Sequence, residues 1–78
     1  MVYIKFMKTI AEIFAERLKE LREDKNVSLK TLASAIGVSD IAISRWENLK
    51  RIPNIESLAA IADYFSVSTD YLLGKTDY

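Results

Sequence analysis

Five residues that can cap a helix, Thr9, Ser28, Ser39, Asn54 and Ser68, each stand directly before a stretch with helical apolar spacing. A helix leaves its first amides without partners, and the side-chain oxygen of such a residue accepts from one of them. The pattern predicts five short helices. The first runs from Thr9 to about Lys25: Thr9 and Glu12 make a capping box, Ile10, Ile13, Phe14, Leu18 and Leu21 form one stripe, and Asn26 takes the left-handed position that ends it. The second covers Leu29 to Ile36, with Leu29, Leu32, Ala33 and Ile36 on one face and Gly37 after it. The third spans about Asp40 to Asn48 and the fourth Ile55 to Phe65, its inner face being Ile55, Leu58, Ile61, Ala62 and Phe65. Thr69 to Leu73 make the fifth, closed by Gly74. The expected fold class is therefore all-α.

The chain of 78 residues allows one small domain, whose marginal core calls for tight helix packing or a second copy. With no Cys and no His, it lacks disulfides, thiol chemistry and the usual zinc ligands. A glycine-rich phosphate loop is also missing, as are clustered carboxylates in the middle of the chain, so the common catalytic constellations are absent and the reading is not an enzyme, with no metal and no cofactor. No apolar run approaches the ~20 residues of a membrane span, and the start does not read as a signal peptide, so the cytoplasm is the expected compartment.

Lys+Arg and Asp+Glu balance at 11 each, against the usual basic footprint of a nucleic-acid binder. Their distribution is uneven. Val27 to Ile52 carries Lys30, Arg45, Lys50 and Arg51 against Asp40 and Glu47, whereas Pro53 to Tyr78 carries Lys75 against Glu56, Asp63, Asp70 and Asp77. The middle of the chain is the side an anion would approach. Residues 1–8 form an extension, read as a strand through Val2, Ile4 and Phe6, an added helical turn or a disordered segment. The domain proper is 9–74, and 75–78 are a tail.

Leu29 to Asn48 reads LKTLASAIGVSDIAISRWEN. Two short helices joined by about three residues, with Gly in the turn, make a helix-turn-helix unit. Ala33 is small where the helices cross, Gly37 allows the reversal, and Val38 and Ile43 plug the corner. On the third helix Ile43, Trp46 and Glu47 face inward. Asp40, Ile41, Ser44, Arg45 and Asn48 face outward, following Ser39 at the cap. Such a stripe suits base edges in the major groove, and Arg45 can grip guanine O6 and N7 with two bonds. Asp40 either accepts from a cytosine amino group or serves only the helix dipole. Ile41 either meets a thymine methyl or folds back beside Leu29. Ser28, Lys30, Thr31, Lys50 and Arg51 are placed to hold phosphates.

The stretches ERLKELRED, SLKTLASAIGVSDIAISRWEN and IPNIESLAAIADYFSVSTDYLLG resemble the Cro/cI-type, phage-repressor-like family of helix-turn-helix regulators. The resemblance covers Phe14 to Gly74 and is most specific in ISRWEN and VSTDYLLG. It implies a five-helix lambda-repressor-like fold, the third helix in the major groove, a homodimer reading two half-sites, and an ion pair between Arg22 and Glu47 that orients the recognition helix. The family usually has Gln where Leu29 stands, and polar or basic residues where Asp40 and Ile41 stand.

The expected function is thus sequence-specific binding of double-stranded DNA by a dimeric transcription regulator, a repressor, with a regulatory protein as a further partner. Tyr64, Tyr71 and Leu72 are the expected dimer contact, with core packing as their alternative. A protein-interaction or antitoxin module on the same scaffold is the competing reading, motivated by the neutral charge together with Leu29, Asp40 and Ile41.

Overall fold

A computed structural model describes residues 8–78 of the chain. Each predicted cap sits at extended backbone angles and accepts from the amide three residues on. Thr9 starts α1 (Ile10–Asp24), Ser28 starts α2 (Leu29–Ile36), Ser39 starts α3 (Asp40–Glu47), Asn54 starts α4 (Ile55–Phe65) and Ser68 starts α5 (Thr69–Leu72). Among the described residues there is no strand. The strand or added turn considered for Val2 to Met7 lies outside them. At α1 the capping box is complete: the Thr9 amide donates to Glu12 at 2.8 Å and the Glu12 amide to Thr9 Oγ1 at 3.1 Å. The bond from the Thr9 backbone holds the Glu12 carboxyl below its ordinary value.

The helix ends repeat one device. Each helix is followed by a single residue with positive φ: Asn26, Gly37, Leu49, Ser66 and Gly74. The next amide then reaches back five residues: Val27 to Arg22, Val38 to Ala33, Lys50 to Arg45, Val67 to Ala62 and Lys75 to Asp70, at 2.8–3.0 Å. This is the Schellman closure, which satisfies an orphan carbonyl and turns the chain sharply. Val27, Val38 and Val67, placed just past the turn, all pack on the core. Gly37 has open space around it and is needed for its φ of 77° alone. At Gly74 a Cβ would also lie 2.9 Å from Ile13 Cδ1 and Cγ2, so the chain there needs glycine twice over.

The core is Phe14, Leu18, Leu32, Ala33, Ile43, Trp46, Ile61, Ala62, Phe65 and Leu72. It draws on all five helices. α2 packs on α3 and α4, α1 on α3 and α5, and α4 on α5. Two expected core residues are corrected. Ile10 is 47% and Ile55 83% exposed. Both are the first residue of their helix, and helical period gives a face without saying how far the neighbouring helix extends along it.

A cross-link not read from the sequence ties the chain end to α1. Arg17 Nη1 donates to the carbonyls of Tyr71 and, at 2.7 Å, Thr76, while its guanidinium carbon lies 4.3 Å from the centroid of the Tyr71 ring. One arginine from α1 thereby holds α5 and the residues after it, through hydrogen bonds and a cation–π contact.

The backbone predicts two opposite outcomes. Gly37→Ala keeps its space but takes a left-handed conformation that costs an L-residue about 1 kcal/mol, and urea unfolding should show that loss. Leu49→Gly relieves the same conformation at φ 61° and gives up a side chain that is 51% exposed. It should raise stability by roughly 0.5–1 kcal/mol. A loss at position 49 would contradict this description of the turn.

Candidate nucleic-acid interface

The outer side of α3 is built by the two turns that bracket it. Ser39 accepts from the Ala42 amide at 3.1 Å and starts the helix, and the closure at Leu49 ends it. Between them Ile43 is fully buried and Trp46 nearly so, which fixes the roll of the helix. Ile41, Arg45 and Asn48 are left exposed, Asp40 and Ser44 half-buried. At 60% exposure Ile41 stands away from the body and does not fold back beside Leu29, which packs against the core. Trp46 is a core residue. Ser39, Ile41, Arg45 and Arg51 come together along one shallow groove, completed by Ala42, the edge of Trp46, Ile52 and Asn54. Asn54 was not among the expected site residues. Its cap role, with Oδ1 accepting from the Ser57 amide at 2.8 Å, places it beside them.

Glu47, at the inner end of α3, receives Arg22 in a two-pronged grip. Arg22 Nε donates to Oε2 at 2.7 Å and Nη2 to Oε1 at 3.0 Å, while Nη1 donates to the Val27 carbonyl at 3.1 Å. The two side chains are only 16% and 6% exposed. Hydrogen bonding to Glu47 holds the Arg22 guanidinium above its ordinary value. The grip neutralises one of the two acids in the middle of the chain. Arg45, Lys50 and Arg51, all exposed, then outweigh Asp40 at this end of the molecule.

On the neighbouring α2 start, Ser28 and Thr31 are linked. Ser28 Oγ accepts from the Thr31 amide at 3.0 Å and donates to Thr31 Oγ1 at 2.9 Å. One hydroxyl proton is engaged between the two oxygens, so the pair keeps one hydroxyl proton to offer outward. Lys30 is exposed beside it. Lys50 and Arg51 are exposed in the turn after α3, and both their amides bond to the Arg45 carbonyl. The arrangement presents a polar and cationic helix face, two flanking turns and two exposed isoleucines, Ile41 and Ile52. Among the described residues no three His, Cys, Asp or Glu side chains gather to hold a metal ion. No described helix is long and apolar enough to cross a membrane.

A family model described as helix-turn-helix matches residues 18–72. The chain belongs to the helix-turn-helix family. The match spans Leu18 on α1 to Leu72 on α5, and so includes the α2–turn–α3 unit. Among curated relatives, the HTH-type transcriptional activator BcrR of Enterococcus faecalis is 48% identical over 60 residues, covering 77% of this chain and 29% of its own. The HTH-type transcriptional regulator AnsR of Bacillus subtilis is 40% identical over 60 residues, covering 77% of this chain and 52% of its own. The chain thus spans a third to a half of the length of these relatives. Among solved structures, the P22 c2 repressor in complex with a synthetic operator superposes with a TM-score of 0.75 at 31% identity, covering 90% of this chain and 100% of that one. The five helices and the likeness to the P22 c2 repressor make this a phage-repressor-like helix-turn-helix fold, and the family is one of regulators and repressors rather than enzymes.

The ion pair makes a stability prediction. Glu47→Ala leaves the Arg22 head largely enclosed and unpaired, and should cost about 3 kcal/mol. Replacing both, Arg22→Met with Glu47→Leu, should return to within about 1 kcal/mol of the parent. Chemical denaturation of the three proteins measures it. Equal losses in the single and double variants would mean that packing, not the unpaired charge, sets the cost.

Proposed function

We propose that this chain is the DNA-binding part of a transcription regulator, reading double-stranded DNA in sequence-specific fashion with α3 in the major groove. The observation that carries the reading is the outward face of α3, where Ile41, Ser44, Arg45 and Asn48 stand clear of a core that Ile43 and Trp46 hold in place. In the reading, Arg45 grips a guanine edge and Ile41 meets a thymine methyl, each good pair discriminating by about 1–3 kcal/mol. Asp40 accepts from a cytosine amino group, and Ser39 lies at the same end of the helix. Thr31, Lys30, Lys50 and Arg51 bind phosphate and set the docking angle. Ser28 contributes by orienting the Thr31 hydroxyl. The Arg22–Glu47 pair holds α3 at the angle that this docking needs.

The regulator acts as a homodimeric repressor in this proposal, with two α3 helices about 34 Å apart on a near-palindromic operator. The likeness of the fold to a repressor bound to its operator supports it. Leu72 is fully buried and Tyr71 lies under Arg17, so of the three expected contact residues only Tyr64, at the end of α4, stays exposed. Two other exposed apolar side chains stand closer to α3: Ile52 and Ile55 are 72% and 83% exposed. A two-fold contact there would bury apolar surface otherwise left in water. That surface and Ile41 also favour the second reading, a protein-interaction or antitoxin module with weak DNA binding and a protein partner.

Selection from random duplexes should return an inverted repeat. Arg45→Ala should weaken binding about tenfold or more and relax one position in each half-site. Affinity should fall steeply with salt, by about 1,000-fold between 50 and 200 mM for some six phosphate contacts. A flat salt dependence with no enriched sequence would contradict the DNA reading and support the module. For the dimer, Ile52→Glu with Ile55→Glu should yield monomers in sedimentation, whereas Tyr64→Glu should not. The reverse result would move the contact to Tyr64 at the end of α4.

A further inference from the structure

Asn48 lies on the outer side of α3, yet its amide nitrogen is turned inward. Nδ2 donates to the Ser44 carbonyl at 2.7 Å and makes a longer contact of 3.4 Å with Ser44 Oγ. The orientation of the amide is settled chemically, since a carbonyl oxygen can accept only from the nitrogen end. Ser44 Oγ is half-buried one turn earlier on the same face. Its oxygen lies on the donor side of Asn48, and among the described residues its own proton has no acceptor. Serine in mid-helix commonly turns its hydroxyl back to the carbonyl four residues before it. Here Asn48 Nδ2 lies 3.4 Å from the oxygen of that hydroxyl, and no such back-bond is made by Ser44 Oγ among the described residues.

We infer that Asn48 is a positioning residue that makes Ser44 a hydrogen-bond donor toward the DNA, so that this step of the half-site is read for an acceptor: guanine O6 or N7, adenine N7 or thymine O4. The inference rests on the reading of α3 as the recognition helix and refines it. A free serine hydroxyl donates or accepts and tolerates either kind of base edge. A hydroxyl whose oxygen is already engaged by an amide prefers to donate, and disfavours the bare amino group of cytosine. The outward contribution of Asn48 itself is limited to its Oδ1.

The test is the base-preference profile from duplex selection with five versions of the whole 78-residue chain: the parent, Ser44→Ala, Asn48→Ala, Asn48→Asp and the double variant Ser44→Ala with Asn48→Ala. In the parent, one half-site position should disfavour cytosine by roughly threefold to tenfold, the scale of one neutral hydrogen bond. Ser44→Ala should erase that preference. Asn48→Ala should relax the same position and leave the others, and the double variant Ser44→Ala with Asn48→Ala should look like Ser44→Ala alone. Asn48→Asp turns the donor into an acceptor that takes the Ser44 proton. It should shift the same position toward a base offering an amino group, even though its added charge lowers overall affinity. A merely structural role for Asn48 would lower affinity at every position without moving the profile. Asn48→Ala with an unchanged profile, or with a change at a position that Ser44→Ala does not affect, would overturn the inference while leaving the DNA reading intact. A parent that enriches no sequence overturns both.

Discussion

The grip of Arg22 on Glu47 joins the end of α1, the turn at Val27 and the end of α3 into one body. A carboxylate at the last residue of a helix stands against the helix dipole, so Glu47 is a poor local choice for α3. Its partner reverses that. The planar guanidinium matches both carboxylate oxygens and offers a third N–H to the Val27 carbonyl, a geometry that lysine does not provide. Removing two charges from water offsets much of their attraction, so the contact contributes direction more than net stability. What it directs is the face of α3.

Around that contact the fold is a repetition of one local rule. A capping side chain starts each helix, and a single left-handed residue followed by a five-residue reach-back ends it. The starts were legible because Thr, Ser and Asn accept from helix amides through their own side chains, a property of the residue itself. The ends were legible at Asn26, Gly37 and Gly74, where the residue suits positive φ. They were hidden at Leu49 and Ser66, which adopt it without a local preference. There the conformation is imposed by the closure and by the burial of Trp46 and Val67 on either side. Ile10 and Ile55 carried the same helical periodicity as the core and are nonetheless exposed, because periodicity marks a face of a helix and not the length of it that a neighbour covers. The Arg17 link was invisible for another reason: its acceptors are the backbone carbonyls of Tyr71 and Thr76, far along the chain and unmarked by residue type.

For the candidate interface, period 3.6 was enough to separate Ile43, Trp46 and Glu47 from Ile41, Ser44, Arg45 and Asn48. The neutral net charge, which weighs against nucleic acid, loses force once Glu47 is seen to be neutralised by Arg22, because Asp40 is then the one acid left unpaired between Val27 and Ile52. Which way a proton points is a three-dimensional fact. Ser28 and Thr31 are equivalent hydroxyls in the sequence, and Asn48 reads as a donor facing outward. Folding links Ser28 and Thr31 through one shared hydroxyl proton and folds the Asn48 amide onto Ser44.

The central claim is that the exposed side of α3 is the surface that meets the duplex. A titration of the isotopically labelled protein with a duplex, followed residue by residue in amide and side-chain NMR signals, tests it most directly. The account predicts that the changes concentrate on Ile41, Ser44, Arg45 and the Thr31 turn, with the Arg45 guanidinium signals among the most perturbed. Changes gathered instead around Asp63, Tyr64 and Asp70, with α3 silent, would contradict it.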